Sequence, residues 1–233
     1  MYMLGELENV IEVLASNNNE LRQIIFLTLK MSFFSTVISS IVGVSGSIFL
    51  TAITVKNIKK YCIRIINTLM GIPPVVGGLV VFLLFSRSGP FGQLRWMYSL
   101  NVMVIAQVLL ITPVVIGLSA PVLEKKQSEI SETIYGLRIS RGKKVFLLLY
   151  ECKNQLIGIV MAAFGRSIAE VGAVQLVGGN VQYKTRVMTT AIMLETNRGN
   201  FKFAISLGIV LLICSFMVNI FASVITDNLD NKV

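Results

Sequence analysis

The chain has 233 residues, of which 54% are hydrophobic and 14% charged, and its mean hydropathy is +0.75. Soluble domains carry about 25% charged residues, so this composition predicts a membrane protein. Histidine is absent and the three cysteines follow no CxxC spacing, which argues against zinc sites, disulfide frameworks and histidine acid–base catalysis. The net charge of +9 comes from basic residues between apolar segments, which favours membrane lipid over nucleic acid as the partner.

Residues 1–23 form an N-terminal arm before the first long apolar segment. The arm is acidic and lacks the basic start of a cleavable signal peptide. Its apolar residues recur at helical spacing, which predicts a short amphipathic helix at the membrane edge. These residues are Leu4, Leu7, Ile11 and Leu14.

Five segments are apolar enough to cross the hydrocarbon core, which takes about 20 helical residues. They are residues 24–55, 65–85, 100–123, 156–177 and 203–226. The pattern predicts an all-α polytopic membrane protein, with residues 1–233 forming one transmembrane domain. The positive-inside rule, applied to the basic stretches 56–64 and 125–153, favours an external N-terminus and a cytoplasmic C-terminus.

The second apolar segment contains the proline pair Pro73-Pro74. These residues remove two backbone donors, which predicts either the end of a short helix or a kink beside a polar path.

Arg166 and Glu170 lie in the fourth apolar segment, four residues apart. On a helix they share a face and can pair. An ionised side chain at the bilayer centre costs about 2.5–3.5 kcal/mol, so their presence needs a reason. Two interpretations stay open: together with Ser167 they line or gate a translocation path, or they form a structural ion pair between packed helices.

Glycines in the same region predict close approach of helix backbones. They are Gly158, Gly165, Gly172 and Gly178. Further along, residues 185–195 mix apolar and hydroxyl residues, which predicts a re-entrant or outer helix near the mouth of the path. Arg186 there either attracts an anion or is an ordinary surface charge.

The loop at 124–153 is the only long cytoplasmic loop in this topology. It alternates charged and apolar residues and is too polar to span, so we predict one or two surface helices with Gly136 and Gly142 as breaks. Such helices either dock a cytoplasmic partner or only rest on lipid headgroups. The chain has no GxxxxGK[ST] loop, so any ATP used in transport is expected to be hydrolysed by another chain.

These segments together resemble the membrane permease subunit of type I ABC importers, within the oxyanion group. The signature of that group in the fourth span is similar to GRSIAEVGA at 165–173. The variants here are closest to the tungstate-specific subgroup. Further similar stretches are GIPPVVGGL at 71–79, SRSGPFG at 86–92, Ala106-Gln107, GGN at 178–180 and TRVMTTAIMLET at 185–196.

The loop also resembles the coupling loop of this family, whose pattern is Glu-Ala-Ala, three residues, then Gly. Gly136 occupies the glycine position, but Ile130 stands where the glutamate is expected. The coupling residues implied by the resemblance are Glu129, Ser131, Glu132, Gly136, Ser140 and Arg141. Those implied for the path or gate are Pro73, Pro74, Arg166, Ser167, Glu170 and Arg186.

The resemblance implies the type I permease fold, with five transmembrane helices and cytoplasmic coupling helices. It further implies a homodimer in the cell membrane that carries two cytoplasmic ATPase subunits. ATP and magnesium would lie on those partners, and this chain would hold no cofactor, metal or catalytic residue. An external binding protein would deliver a tetrahedral oxyanion: tungstate, with molybdate or sulfate as alternatives.

Two functions of other classes also fit an apolar helical chain. An ATP-independent secondary transporter predicts internal repeats and charges in several spans, whereas the charged pair here is confined to one. A membrane-embedded enzyme would have Glu170 as its only intramembrane carboxylate and no histidine to work with it.

Overall fold

The computed structural model describes residues 19–136 and 140–230, with side chains throughout these ranges except at 131–136, 141, 222 and 225–230. Within this part of the chain the structure is helical and contains no strand. The all-α prediction is therefore confirmed. The helix predicted in the N-terminal arm falls almost entirely on residues 1–18, which lie outside the described ranges.

Three of the described helices are long and apolar enough to cross a membrane, namely α1, α4 and α9. The number rises to five, as the sequence predicts, when the bent pairs α2–α3 and α5–α6 each count as one span. The helices are α1 (Asn19–Ala52), α2 (Lys56–Met70), α3 (Pro74–Phe85), α4 (Leu100–Gly136), α5 (Arg141–Glu151), α6 (Lys153–Ala169), α7 (Gly172–Gly178), α8 (Met188–Asn197) and α9 (Phe201–Asp230), with a 3-10 turn at Gly92–Leu94.

Helices α1 and α4 pack side by side along a seam of small residues. Gly43 faces Val115, and a Cβ on this glycine would lie 2.6 Å from the Val115 side chain. Eight residues earlier on both helices, Ser35 reaches Gln107, so the two helices run parallel. Helix α1 buries many hydroxyl residues, of which Ser35 lies at this seam: Thr28, Ser32, Ser35, Thr36, Ser39 and Ser47. Small side chains of this kind let membrane helices approach closely.

The second predicted span is broken at its proline pair. Helices α2 and α3 are bent by 95° relative to each other, and α3 begins at Pro74. Proline suits the first turn of a helix because its missing N–H would have no partner there. The Pro73 carbonyl accepts hydrogen bonds from the backbone N–H groups of Val76 and Gly77 at 2.9 and 3.2 Å. Of the two predicted outcomes, the end of a short preceding helix is the one observed.

The fourth predicted span, residues 156–177, is not one continuous helix. Helix α6 ends at Ala169 and α7 begins at Gly172, with Glu170 in an extended conformation between them. The Glu170 carboxylate accepts a hydrogen bond from the Ala173 N–H at 3.3 Å. Its carbonyl accepts one from the Thr189 hydroxyl at 2.9 Å. The first bond satisfies a backbone N–H in the first turn of α7, and the second gives the Glu170 carbonyl a partner outside a helix.

The predicted surface loop is also organised differently. Helix α4 continues without a break to Gly136, so the first half of the loop extends the third span instead of forming a separate helix. Gly136 is the last described residue of that helix, so the break predicted there stays a prediction. Gly142 lies inside α5 and is not a break, and α5 meets α6 at a bend of 70°. Residues 137–139 lie outside the described part of the chain.

The predicted close contacts at glycine are confirmed at two of four positions. A Cβ at Gly172 would lie 2.8 Å from Val75 Cγ2, and one at Gly178 would lie 2.9 Å from Met103 Sδ. Within the described part of the chain the prediction is wrong for Gly158 and Gly165, since a Cβ at either would have nothing within 4 Å there. The tightest contact between α3 and α7 is at Gly78, where a Cβ would lie 2.6 Å from Ala173 Cα.

Gly78→Ala is expected to destabilise the protein by about 1–3 kcal/mol, the usual cost of overpacking. The new Cβ would lie 2.6 Å from Ala173 Cα, and this backbone atom moves only if α7 moves. The measurement is the thermal unfolding midpoint of the detergent-purified protein. Gly208→Ala on α9 is the matched control, because nothing lies within 4 Å of it. Equal midpoints for the two variants would contradict the contact between α3 and α7.

Candidate translocation and coupling sites

Arg166 lies in the last turn of α6 and is exposed on this chain. The predicted pair with Glu170 is wrong, because the helix ends before Glu170 and the two side chains no longer share a face. Within the described ranges, no ion pair involves Arg166. Among the described residues, the interpretation as a structural ion pair with Glu170 is therefore excluded, and the guanidinium has no charged partner there.

Ser167, the next residue, faces the opposite way and is fully buried. Its hydroxyl donates to Gln107 Oε1 at 2.9 Å, and the Gln107 amide donates back to the Ser167 carbonyl at 2.8 Å. The Ser35 hydroxyl also donates to Gln107 Oε1, at 2.6 Å, and lies 2.8 Å from the Ser167 hydroxyl. This Ser35–Gln107–Ser167 network joins α1, α4 and α6 and holds the turn that carries Arg166.

Only a weak signal for this network is present in the sequence. Gln107 is an amide in an otherwise uncharged apolar segment, and it was singled out only for the resemblance of Ala106-Gln107 to known permeases. The pairing with Ser35 joins residues far apart in the chain, so no local pattern reveals it. Ser167 was grouped with Arg166, although the structure places the two side chains on different faces of α6.

The two helix breaks lie against each other. Gly172, at the start of α7, packs against Val75 in the first turn of α3, so the break at Pro73-Pro74 is next to the break at Glu170. The structure thus brings Pro73, Pro74 and Glu170 into one region. Residues that line the same translocation path have to lie together in this way. Arg166 precedes this region by one helical turn.

Arg186 lies elsewhere, at the end of α1 that carries Glu20. Its side chain is 10% exposed, and its guanidinium donates to Glu20 Oε1 at 2.7 Å. Gln182 donates to the same carboxylate oxygen at 3.0 Å. The alternative of an ordinary surface charge is therefore wrong. Arg186 anchors the segment before α8 to α1, and its partner Glu20 belongs to the polar run SNNNE at 16–20.

A second ion pair lies beside this one. Arg198 donates to Glu195 Oε1 at 3.1 Å, and Asn200 donates to Glu195 Oε2 at 2.9 Å. A cavity of about 310 Å³ separates the two pairs. Because each arginine is matched by a glutamate, the cluster has no excess charge with which to hold an anion.

The predicted coupling residues lie around the end of α4 and the start of α5. Glu129 is exposed and lies 3.7 Å from Lys126, which also contacts Glu151 at 3.2 Å. Ser140 is exposed and immediately precedes α5. Gly136 is the last residue of α4, while the side chains of Ser131, Glu132 and Arg141 lie outside the described residues. Lys126 and Glu151 were not among the site residues predicted from the sequence. Their ion pair connects α4 to the bend between α5 and α6.

The described residues contain no candidate metal site. Among their side chains, no group of three or more His, Cys, Asp or Glu residues is arranged to hold a metal ion.

Comparison with known proteins identifies the family. The family described as "Binding-protein-dependent transport system inner membrane component" matches residues 43–233, most of the chain. The chain belongs to this family. It is therefore a multi-pass membrane permease subunit of an ABC importer, and its task is transport, not catalysis. Importers of this class work with ATPase subunits and a binding protein.

Individual relatives of this permease cover most of its length. The tungstate uptake system permease protein TupB of Peptoclostridium acidaminophilum is 35% identical over 218 residues, which is 94% of this chain and 95% of the relative. TupB of Campylobacter jejuni is 36% identical over 163 residues, 70% of this chain and 68% of the relative. The sulfate transport system permease protein CysT of Salmonella typhimurium is 25% identical over 201 residues, covering 82% and 72%.

Gln107→Leu is expected to lower the stability of the permease by about 1–3 kcal/mol, because the buried Ser35 and Ser167 hydroxyls and the Ser167 carbonyl each lose a hydrogen bond to the amide. The thermal midpoint of the purified protein measures the effect. Asn219→Leu on α9 is the control, since Asn219 is exposed and donates only to the Ser215 carbonyl in its own helix. An unchanged midpoint for Gln107→Leu would show that the network does not hold the three helices.

Proposed function

We propose that this permease imports a tetrahedral oxyanion, with tungstate as the substrate and molybdate or sulfate as the alternatives. The sequence identity to two tungstate permeases is higher than the identity to a sulfate permease. Two tungstate permeases are 35% and 36% identical to the chain, whereas the sulfate permease is 25% identical. The resemblance of residues 165–173 and 185–196 to the tungstate subgroup favours the same choice.

The observation that carries the proposal is the position of Arg166. It is exposed and unpaired among the described residues, in a membrane-crossing part of the chain, one turn before two helix breaks meet. A lone arginine facing lipid is costly, so it faces water or protein in the working assembly. Broken helices are tolerated where they line a water-filled path, and such breaks mark substrate paths in transporters. An arginine there attracts an anion, and Glu170 nearby keeps the attraction weak enough for release.

The exposed face of α6 supports a homodimer with the path at its seam. Besides Arg166 and Gln155, this face carries only small residues: Gly158, Ala162, Gly165 and Ala169. No described residue lies within 4 Å of a Cβ placed at either glycine, so another helix can approach them closely. Lipid-facing surfaces elsewhere carry large side chains such as Phe33, Phe49 and Leu212. A second copy therefore fits this face better than lipid does.

Energy enters from two ATPase subunits that bind ATP and magnesium and dock at the end of α4 and on α5. In this proposal the N-terminus is external and the C-terminus cytoplasmic, so the coupling region 124–153 faces the ATPases. Lys126 joins α4 to Glu151 at the bend before α6. Movement of the docked ATPases is thus transmitted through this ion pair to α6 and Arg166. The path then opens alternately to the two sides of the membrane. An external binding protein delivers the anion.

Uptake of labelled tungstate, molybdate and sulfate by cells with and without the gene tests the substrate. The deletion is expected to lose tungstate uptake while keeping sulfate uptake. Unchanged uptake of all three anions, in cells with no redundant system, would overturn the proposal.

Arg166→Gln is expected to reduce uptake at least tenfold at an unchanged level of protein in the membrane, because the attraction that draws the anion past the helix breaks is lost. Arg87→Gln is the matched control, an exposed arginine in the loop after α3. Equal uptake by the two variants would remove Arg166 from the path.

Lys126→Met is expected to uncouple the transporter, because the ion pair that links α4 to Glu151 is lost. The readout is ATP hydrolysed per anion transported by the assembled importer in vesicles, which is expected to rise several-fold. Lys125→Met removes the same charge from the neighbouring, exposed position and is expected to leave this ratio unchanged. A normal ratio in Lys126→Met would show that coupling takes another route.

A further inference from the structure

Helix α2 (Lys56–Met70) differs from the other helices because none of its residues is buried. Three exposed basic residues, Lys56, Lys60 and Arg64, recur every fourth position and form one row along it. The adjacent face is apolar and exposed, with Ile58 at 53%, Tyr61 at 65% and Ile65 at 59%. The surface thus combines a cationic row with an apolar ridge, which is the pattern of helices that lie in a membrane interface.

The depth of α2 follows from its contacts with α4. Near its start, Lys59 donates to Glu124 at 2.7 Å. Glu124 is the first charged residue after the uncharged stretch 100–123, so this contact marks the water boundary. At the other end, Met70 packs against Gly117, which lies about 10 Å deeper along α4. Between Lys59 and Met70 helix α2 is about 16 Å long, so it enters the membrane obliquely, and it is bent by 95° from α3.

The basic row has no counter-charge within the described chain. No aspartate or glutamate occurs between residues 21 and 123, and Glu124 is already paired with Lys59. None of the described ion pairs includes Lys56, Lys60 or Arg64. A second copy seated symmetrically on this face would bring an identical cationic row and be repelled. An anionic surface with an apolar layer beneath it complements both parts of the helix.

We propose that α2 binds anionic phospholipid headgroups through Lys56, Lys60 and Arg64, with the apolar ridge of Ile58, Tyr61 and Ile65 inserted among the acyl chains. The site is independent of the anion that the permease transports. Since α2 leads directly into the break at Pro73-Pro74, the bound lipid holds the helix at the depth that sets the bend.

Native mass spectrometry of the full-length, detergent-purified protein tests the proposal with phosphatidylglycerol and phosphatidylcholine as the probes. Wild type is expected to retain phosphatidylglycerol preferentially. The triple variant Lys56→Gln, Lys60→Gln, Arg64→Gln is expected to lose this preference, at roughly fivefold in affinity for each cation removed. The charge-preserving triple variant Lys56→Arg, Lys60→Arg, Arg64→Lys is expected to keep it.

A matched control separates the site from net charge. The variant Arg87→Gln, Arg95→Gln, Lys184→Gln removes the same number of exposed cations from loops away from α2 and is expected to retain the preference. Unchanged retention in the α2 variant, or equal loss in both variants, would overturn the proposal. A shift from dimer to monomer in the α2 variant without loss of lipid would assign the face to a second copy instead.

Discussion

Polar side chains buried in a membrane protein have few partners to choose from, and the Ser35–Gln107–Ser167 network shows how this constraint organises the molecule. Each member is fully buried, and together they join α1, α4 and α6. In a low-dielectric interior such bonds are strong, and an unpaired member is costly. The network therefore specifies one arrangement of the three helices. Because Ser167 is held in the core, Arg166 is directed to the opposite, exposed face of α6.

The two helix breaks depend on this arrangement. Glu170 leaves α6 just after the turn that the network holds, and its carboxylate and carbonyl are satisfied by Ala173 and Thr189. The break at the prolines lies alongside because Gly78 and Gly172 allow α3 and α7 into backbone contact. Short helices joined at breaks can move relative to one another more readily than one long helix. A hydrogen-bonded core next to paired breaks thus combines a rigid support with a movable element.

Three ion pairs lie near the ends of the long helices α1 and α4 and join segments that are distant in the chain. Lys59–Glu124 and Lys126–Glu151 connect α4 to the neighbouring bent helices on one side, and Arg186–Glu20 connects the segment before α8 to α1 on the other. Exposed pairs contribute only about 0–1 kcal/mol to stability. Their effect here is to fix positions, above all the depth of α2 and the orientation of the bend before α6. Helix packing through small residues supplies the cohesion.

The helical membrane class, the apolar segments, the break at Pro73-Pro74 and the family resemblance follow from the sequence by itself, because hydrophobic length, proline chemistry and local motifs are properties of neighbouring residues. The tertiary structure decided the rest. Four-residue spacing predicts an ion pair between Arg166 and Glu170, but that rule assumes a continuous helix. Here the helix ends before Glu170, which forms hydrogen bonds with Ala173 and Thr189 instead. The contacts of Ser167 with Gln107, of Arg186 with Glu20 and of Lys126 with Glu151 could not be predicted, since each partner lies on another helix and no local pattern encodes which helices meet.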